Sequence, residues 1–328
     1  MKIFVTGASG FVGGAAVRHL VGTHDIVAMS RSAASDATIA AFGATPVRCA
    51  LGAVSAEHLK DVDAVLHCAA HVEEWGPDVE FERINVEGTR QLLSQAKAAG
   101  VPRFVHISTE AVLFRGQALH EVDEIYPLAP DSPFPYSRTK ALAEALITGA
   151  EGIETITLRP RMIWGAGDRT ILPKVISLHE AGQFAWIDGG HHQTSTTNIA
   201  NLVHAIDLAL TRGRPGAVYF VTDGPPTPFR DFMSRYAATQ GVELGDKSLP
   251  GWLVRLLAYI AEGLWKAFRV RTPPPLTRFS AAILSRECTL DDARARAELG
   301  YTPLVSVAEG LALSAADKGN GPETNLQR

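Results

Sequence analysis

The chain has 328 residues, 46% of them hydrophobic and 20% charged, which supplies a sizeable core and excludes a mainly disordered chain. Lysine plus arginine number 31 against 35 aspartate plus glutamate, a formal charge of −4, and without a basic block this balance argues against a nucleic-acid partner. Three cysteines, Cys49, Cys68 and Cys288, cannot build a disulfide framework and form no CxxC pair, so a reducing, cytoplasmic setting is expected and no metal site.

In chain order, Lys2–Thr6 reads as a strand, too short for the apolar region of a signal peptide, and Gly10–Gly22 as a helix. A strand at Asp25–Ser30, a helix at Ala33–Phe42 and strands at Pro46–Leu51 and Ala64–Ala69 follow. Asp78–Ala99 has helical spacing, Arg103–Ser108 reads as a strand, Pro135–Ile147 as a helix and Glu154–Leu158 as a strand. This repeated βα order predicts an α/β fold, a doubly wound parallel sheet of the Rossmann type. Past Arg159-Pro160 glycine and proline become denser; a helix at Ile199–Thr211 and a strand at Ala217–Val221 are expected to rejoin the sheet. The expected division is a dinucleotide-binding domain over 1–165, rejoined by about 195–222, a smaller C-terminal substrate domain over 166–194 and 223–313, and a flexible tail over 314–328.

Two motifs carry chemistry. Thr6-Gly7-Ala8-Ser9-Gly10-Phe11-Val12-Gly13 joins the first strand to the first helix. Gly7 permits the tight turn, Gly10 lets a pyrophosphate approach the backbone, and Gly13 lets helix and strand pack closely. At the end of the second strand, where an acid would hold a ribose 2′-hydroxyl, stands Ser30, followed by Arg31. A guanidinium there suits a 2′-phosphate, so NADP(H) is expected over NAD(H). Further along, Tyr136-Ser137-Arg138-Thr139-Lys140 opens a helix and places phenol and ammonium on one face. A nearby cation is expected to lower the phenol's pKa, so that Tyr136 exchanges a proton with a substrate oxygen while Lys140 reaches the ribose hydroxyls. Ser108-Thr109, at the end of a strand, offers a hydroxyl to align that oxygen.

With these motifs in place, the chain resembles the extended short-chain dehydrogenase/reductase superfamily over about residues 1–313. The resemblance is carried by the glycine turn, His67-Cys68-Ala69-Ala70, Asn85-Val86-Glu87-Gly88-Thr89, Ser108-Thr109, Tyr136/Lys140 and Leu158-Arg159-Pro160, in that order. It implies Tyr136 as the acid/base, Lys140 as its support and Thr109 as the aligning hydroxyl. It also implies cofactor contacts from Gly7, Ser9, Gly10, Phe11, Val12, Gly13, Ala69, Ala70, Asn85 and Pro160. Arg159-Pro160-Arg161-Met162-Ile163-Trp164-Gly165, Thr197-Asn198, Pro274-Pro275-Leu276-Thr277-Arg278 and Glu298-Leu299-Gly300-Tyr301 are most similar to the 3β-hydroxysteroid dehydrogenase branch and the 2-alkyl-3-oxoalkanoate reductases. That branch implies a small hydrophobic substrate, with His71, Trp75, Met162 and Trp164 near the pocket mouth, and a homodimer. The family's Gly-Asp-Leu is replaced by Cys49-Ala50-Leu51, which removes one adenine contact. A nucleotide-sugar epimerase or dehydratase and a non-catalytic dinucleotide sensor are the alternatives.

One feature belongs to neither motif. Trp252, Leu253, Leu256, Leu257, Ile260, Ala261, Leu264, Trp265 and Phe268 recur at helical spacing over residues 251–269. The helix could pack onto the second domain, close over a greasy substrate, or touch a membrane surface.

Overall fold

The computed structural model describes residues 1–270 and 272–317. Seven strands form the main sheet: β1 (Lys2–Thr6), β2 (Asp25–Ser30), β3 (Thr45–Arg48), β4 (Ala64–His67), β5 (Arg103–Ile107), β6 (Glu154–Pro160) and β7 (Ala217–Val221). Their spatial order is β3-β2-β1-β4-β5-β6-β7, and every neighbouring pair is parallel. Adjacent residues in a strand face opposite sides. Val5, Leu66 and Val105 therefore join one core, and Phe4, Val65 and Phe104 the other.

Helices α1 (Phe11–Leu20), α2 (Ala33–Ala41), α3 (Asp78–Phe81), α4 (Gly88–Ala98) and α5 (Pro135–Thr148) connect the first six strands. Between α3 and α4 the backbone makes a π-helical turn over Glu82–Glu87, inside the stretch whose spacing predicts one continuous helix. The third strand also stops earlier than expected. After Cys49 donates its N–H to the Ser30 carbonyl, a turn closed by Ala53 on Ala50 carries Gly52 at φ +93°.

Beyond β6 the chain leaves for α6 (Ile171–Glu180), returns as α7 (Ile199–Thr211) and β7, and leaves again through α8 (Phe229–Ala238), α9 (Gly251–Ala267) and α10 (Arg278–Ile283). Trp164, Trp186, Phe232 and Tyr236 form the core of this second lobe. A small sheet pairs Cys288–Leu290 with Leu119–Val122 and so ties the loop after β5 to that lobe. The segment expected to be a loose tail is helical from its start, because α11 (Val307–Asp317) runs through it; residues 318–328 of that expectation lie outside the described residues. No helix among the described residues is long and apolar enough to cross a membrane.

Candidate active site

The strand order reverses between β1 and β4, which opens a crevice at the carboxyl ends of the strands. The glycine turn sits there. Gly7 has φ +73°, a conformation L side chains rarely adopt, and a Cβ on it would lie 2.9 Å from the Ala69 nitrogen. A Cβ on Gly13 would lie 2.3 Å from the Gly7 carbonyl oxygen, so only glycine lets α1 pack onto the turn. Gly10 caps α1 without a side-chain hydrogen bond, and the first turn of α1 contains no acid. The first-turn N–H groups thus face the crevice with positive potential, which fits a dinucleotide pyrophosphate. Ser9 is exposed, and Phe11 and Val12 are half-buried beside it.

The end of β4 forms the opposite wall. Thr6 Oγ1 and His67 Nδ1 are 2.7 Å apart, and His67 Nε2 lies 2.9 Å from Thr89 Oγ1. Burial, and secondarily the charge of Lys140, push the His67 pKa down to about 3, so this imidazole is a neutral brace. Thr6 Oγ1 also accepts from the Ala69 N–H, which fixes the strand end on the turn. Asn85, on the π-helical turn, accepts from the His71 N–H (2.7 Å) and donates to the His71 carbonyl and to Thr139.

The third wall comes from β5 and α5. Thr109, two residues past the end of β5, donates to Glu110 Oε2 (2.8 Å), while its oxygen accepts from the Ala111 N–H. Glu110 is 5% exposed and pairs with the equally buried Arg161 at 2.5 Å. The Thr109 hydroxyl lies close enough to the Tyr136 phenol to favour its ionised form. Burial raises the pKa of that phenol far above its ordinary value; the Glu110 carboxylate raises it further, and the Thr109 contact only partly offsets them. Phe279 of α10 meets the Tyr136 ring edge-on at 5.8 Å and continues through Phe134 and Phe114 into an aromatic wall. Lys140 donates from Nζ to the Ile107 carbonyl (2.8 Å), and burial brings its pKa down to about 8.

Ser108 takes no part in this cluster. It donates to Glu144 Oε2 (2.5 Å), which is buried in a forked ion pair with Arg159 under the sheet edge. Thr109 is therefore the hydroxyl that faces the site.

The sequence model of the 3-beta hydroxysteroid dehydrogenase/isomerase family matches residues 4–251. The chain belongs to that family. It is 40% identical to a 4-hydroxy-2-methyl-3-oxo-4-farnesyl-3,4-dihydroquinoline-1-oxide ketoreductase of Stigmatella aurantiaca, over 95% of each chain. It is 34% identical to a 2-alkyl-3-oxoalkanoate reductase of Stenotrophomonas maltophilia, over 95% of this chain and 97% of the relative. Among solved structures, a UDP-glucuronic acid 4-epimerase from Bacillus cereus in complex with NAD superposes with a TM-score of 0.75 at 21% identity. That alignment covers 98% of this chain and 99% of the other, a likeness of fold. The extended short-chain dehydrogenase/reductase resemblance and the Rossmann-type sheet read from the sequence both hold. The protein is an NAD(P)-dependent oxidoreductase of hydroxyl and keto groups.

Within this 3β-hydroxysteroid dehydrogenase-family protein, the predicted residues divide into those that converge and those that do not. Gly7, Gly10, Gly13, Ala69 and Ala70 line the crevice from the turn and the end of β4; Thr109 and Tyr136 face one another, with Lys140 one helical turn further along α5. Pro160 ends β6, paired with Val221 at the same sheet edge. Arg31 is exposed just past β2, with no charged partner among the described residues. Asn85 departs from its expected role, because its buried amide is committed to His71 and Thr139 and braces the walls of the crevice. Lys140 departs too: its ammonium is directed at the Ile107 carbonyl, and the Tyr136 pKa is set upward by burial and by the Glu110 carboxylate.

Trp164 is not at a pocket mouth. It is fully buried between Phe232 and Tyr236, with its indole N–H on Asp223 (2.7 Å). Met162 is half-buried at φ +42° against that core. Trp75 leans instead on the far end of α9, donating to the Val270 carbonyl at 3.4 Å, and His71 sits edge-on to Phe81 with its Nε2 buried and unpartnered. The sequence reading did not assign Glu110 and Arg161. A lone acid directly after the strand-end hydroxyl and a second arginine after Pro160 were the available signal, since two buried charges require each other.

Proposed function

We propose that this protein catalyses reversible hydride transfer between NADP(H) and the ketone or secondary alcohol of a hydrophobic substrate, of the 3-oxoacyl or 3β-hydroxysteroid type. The observation that carries the reading is the placement of Tyr136 against an aromatic wall, near the Thr109 hydroxyl, at the sheet edge that also bears the glycine turn. When bound, the dinucleotide supplies or accepts the hydride. Tyr136, held protonated at neutral pH, donates its phenolic proton to a substrate oxygen as a carbonyl becomes an alcohol. Thr109 offers the same oxygen a hydrogen bond when its own proton swings away from Glu110. Lys140 keeps one N–H on Ile107 and has two further donors for ribose hydroxyls. Phe114, Phe134 and Phe279 exclude water beside the phenol and suit an apolar substrate body. In this reading residues 1–165 and about 195–222 carry the dinucleotide, and the second lobe closes on the substrate.

The preference for NADP(H) rests on the buried Ser30 and the unpaired Arg31 at the end of β2. Two measurements test the reading. Tyr136→Phe is expected to cut turnover on a 2-alkyl-3-oxoacyl substrate about 10²- to 10⁴-fold while leaving NADPH affinity intact. The ratio of kcat/KM for NADPH over NADH is expected to exceed one and to reverse in Arg31→Glu. Near-normal turnover in Tyr136→Phe overturns the role assignment, and a clear NADH preference in the unaltered protein overturns the choice of dinucleotide.

A further inference from the structure

Covered arginines in this fold pair with acids. Arg103, Arg138, Arg159, Arg161, Arg230 and Arg294 are buried or half-buried, and each has a carboxylate within ion-pair distance. Among the described residues, only Arg255, Arg278 and Arg286 are half-buried without one. These three line the same cleft, of about 320 Å³, together with Phe134 and Tyr259. Arg115, also in its lining, pairs with Asp131.

The contacts they do make are neutral. Arg255 donates to the Ser285 hydroxyl at 3.2 Å, Arg286 to the Ala282 carbonyl at 3.4 Å, and Arg278 lies over the Tyr259 ring at 5.2 Å. The nearby acids are engaged: Asp188 accepts from the Gly251 N–H, Glu262 from the Arg278 backbone N–H, and Glu287 pairs with His120. Burial and the neighbouring charge of Arg255 both push the Arg286 pKa down, as expected of like charges held together without a counter-ion. In a chain of net charge −4, such a cluster is a local exception that an anion from outside would balance.

We propose that this cleft is a phosphate site, in which Arg255, Arg278 and Arg286 together take the oxygens of a phosphate or diphosphate group. Guanidinium forks match phosphate oxygens two at a time, and three of them exceed what a single carboxylate can occupy. A cleft of this volume also falls at the small end of organic-ligand sites, so the phosphate belongs to a larger molecule. Two kinds of ligand bring that group: a substrate activated as a phosphopantetheine thioester, or a separate phosphorylated small molecule. The placement favours the first, and that part of the inference rests on the function proposed above. Phe134, in the lining of the cleft, meets Phe279 at 5.6 Å, and Phe279 meets Tyr136 at 5.8 Å. Cleft and phenol therefore lie at two ends of one aromatic wall. The carboxylate of a free 3-oxo acid, one carbon from its ketone, does not reach across two ring contacts, whereas the long arm of a phosphopantetheine thioester does.

The test is calorimetric titration of the full chain with a nicotinamide dinucleotide at saturation, so that the glycine turn is already filled. Coenzyme A is expected to bind, and pantetheine, which lacks the phosphates, is not. Arg255→Ser/Arg286→Ser is expected to weaken coenzyme A binding on the order of 10²-fold. The same variant is expected to keep or raise the melting temperature, because two like charges without an acid are removed. If it does not fold, coenzyme A against pantetheine on the unaltered chain decides alone. The site is overturned if neither coenzyme A nor pyrophosphate binds, if pantetheine binds as well as coenzyme A, or if the double variant binds coenzyme A as before. Kinetics separate the two sources. For a substrate handle, the double variant raises KM for a 3-oxoacyl coenzyme A about as much as it weakens coenzyme A, and leaves KM for the matching N-acetylcysteamine thioester unchanged. Binding of pyrophosphate without coenzyme A, or an unmoved KM for the coenzyme A thioester, overturns the handle and assigns the cleft to a separate phosphorylated molecule. If neither thioester is reduced while coenzyme A still binds, the function proposed above fails and the phosphate site stands.

Discussion

Gly13→Ala probes the cradle directly, because its effect can be worked from the geometry. The added methyl would sit 2.3 Å from the Gly7 oxygen and 2.7 Å from the Gly7 carbon. Ordinary carbon contacts begin about 1 Å further out. The obstacle is backbone and cannot rotate away. Gly7 is itself held by the hydrogen bond from the Gly10 N–H at 2.9 Å and by the close approach of Ala69. Helix α1 must therefore move off the turn by roughly 1 Å, at an overpacking cost of about 1–3 kcal/mol. The same shift carries the first-turn N–H groups away from a pyrophosphate. Losing two charge-assisted hydrogen bonds of about 1.5 kcal/mol each weakens NADPH binding on the order of 10²-fold. Gly22→Ala is the matched control, since a Cβ there meets nothing within 4 Å and its φ is not positive. Fluorescence titration with NADPH and thermal melts of both variants give the comparison. NADPH affinity in Gly13→Ala within about threefold of the unaltered protein would refute the assignment of this turn to the pyrophosphate.

Three further outcomes follow from the charges around Tyr136. Glu110→Gln removes a carboxylate that raises the phenol's pKa, so the pH at which alcohol oxidation gains its active phenolate should move downward; an unchanged or upward-shifted profile contradicts the contact. Lys140→Met should raise the melting temperature at neutral pH by a few degrees while abolishing turnover, because a buried ammonium with a pKa of about 8 opposes folding. The unfolded chain retains that proton up to about 10.5, so the unaltered protein gains stability between those values and the gap should close as pH rises from 8. His67 has a folded pKa of about 3 against 6.5 unfolded, so stability is complete above 6.5 and falls as the pH drops toward 3. Thermal melts across that window should show the loss, and His67→Gln should flatten it.

The strand and helix pattern was legible because its rules are local. Buried parallel strands are short apolar runs, and Lys2–Thr6, Asp25–Ser30 and Ala217–Val221 keep their predicted limits. The π-helical turn at Glu82–Glu87 was not legible, since one extra residue in a helical ladder leaves the three- and four-residue spacing almost unchanged. Long-range partners decided the rest. Trp164 follows the arginine-proline segment in sequence, yet Phe232 and Tyr236, some seventy residues on, surround it and Asp223 takes its N–H. Tyr136 and Lys140 were recognisable from their spacing, but the sign of the phenol's pKa shift was not. It depends on burial and on Glu110, which arrives from the end of a different strand.

Helix α9 is the sharper case, because periodicity identifies two faces without saying which one meets protein. The reading that buries the larger apolar face requires a layer of chain deep enough to receive Trp252, Leu256 and Phe268. Against α9 the fold supplies α10, a six-residue helix that contributes Ala281, together with the single side chains Ile187, Leu249 and Leu276. Close approach of two helices favours small side chains at the crossing, and Val254 and Ala258 provide them. Volume thus selects the small face for the interior and leaves the large one outward.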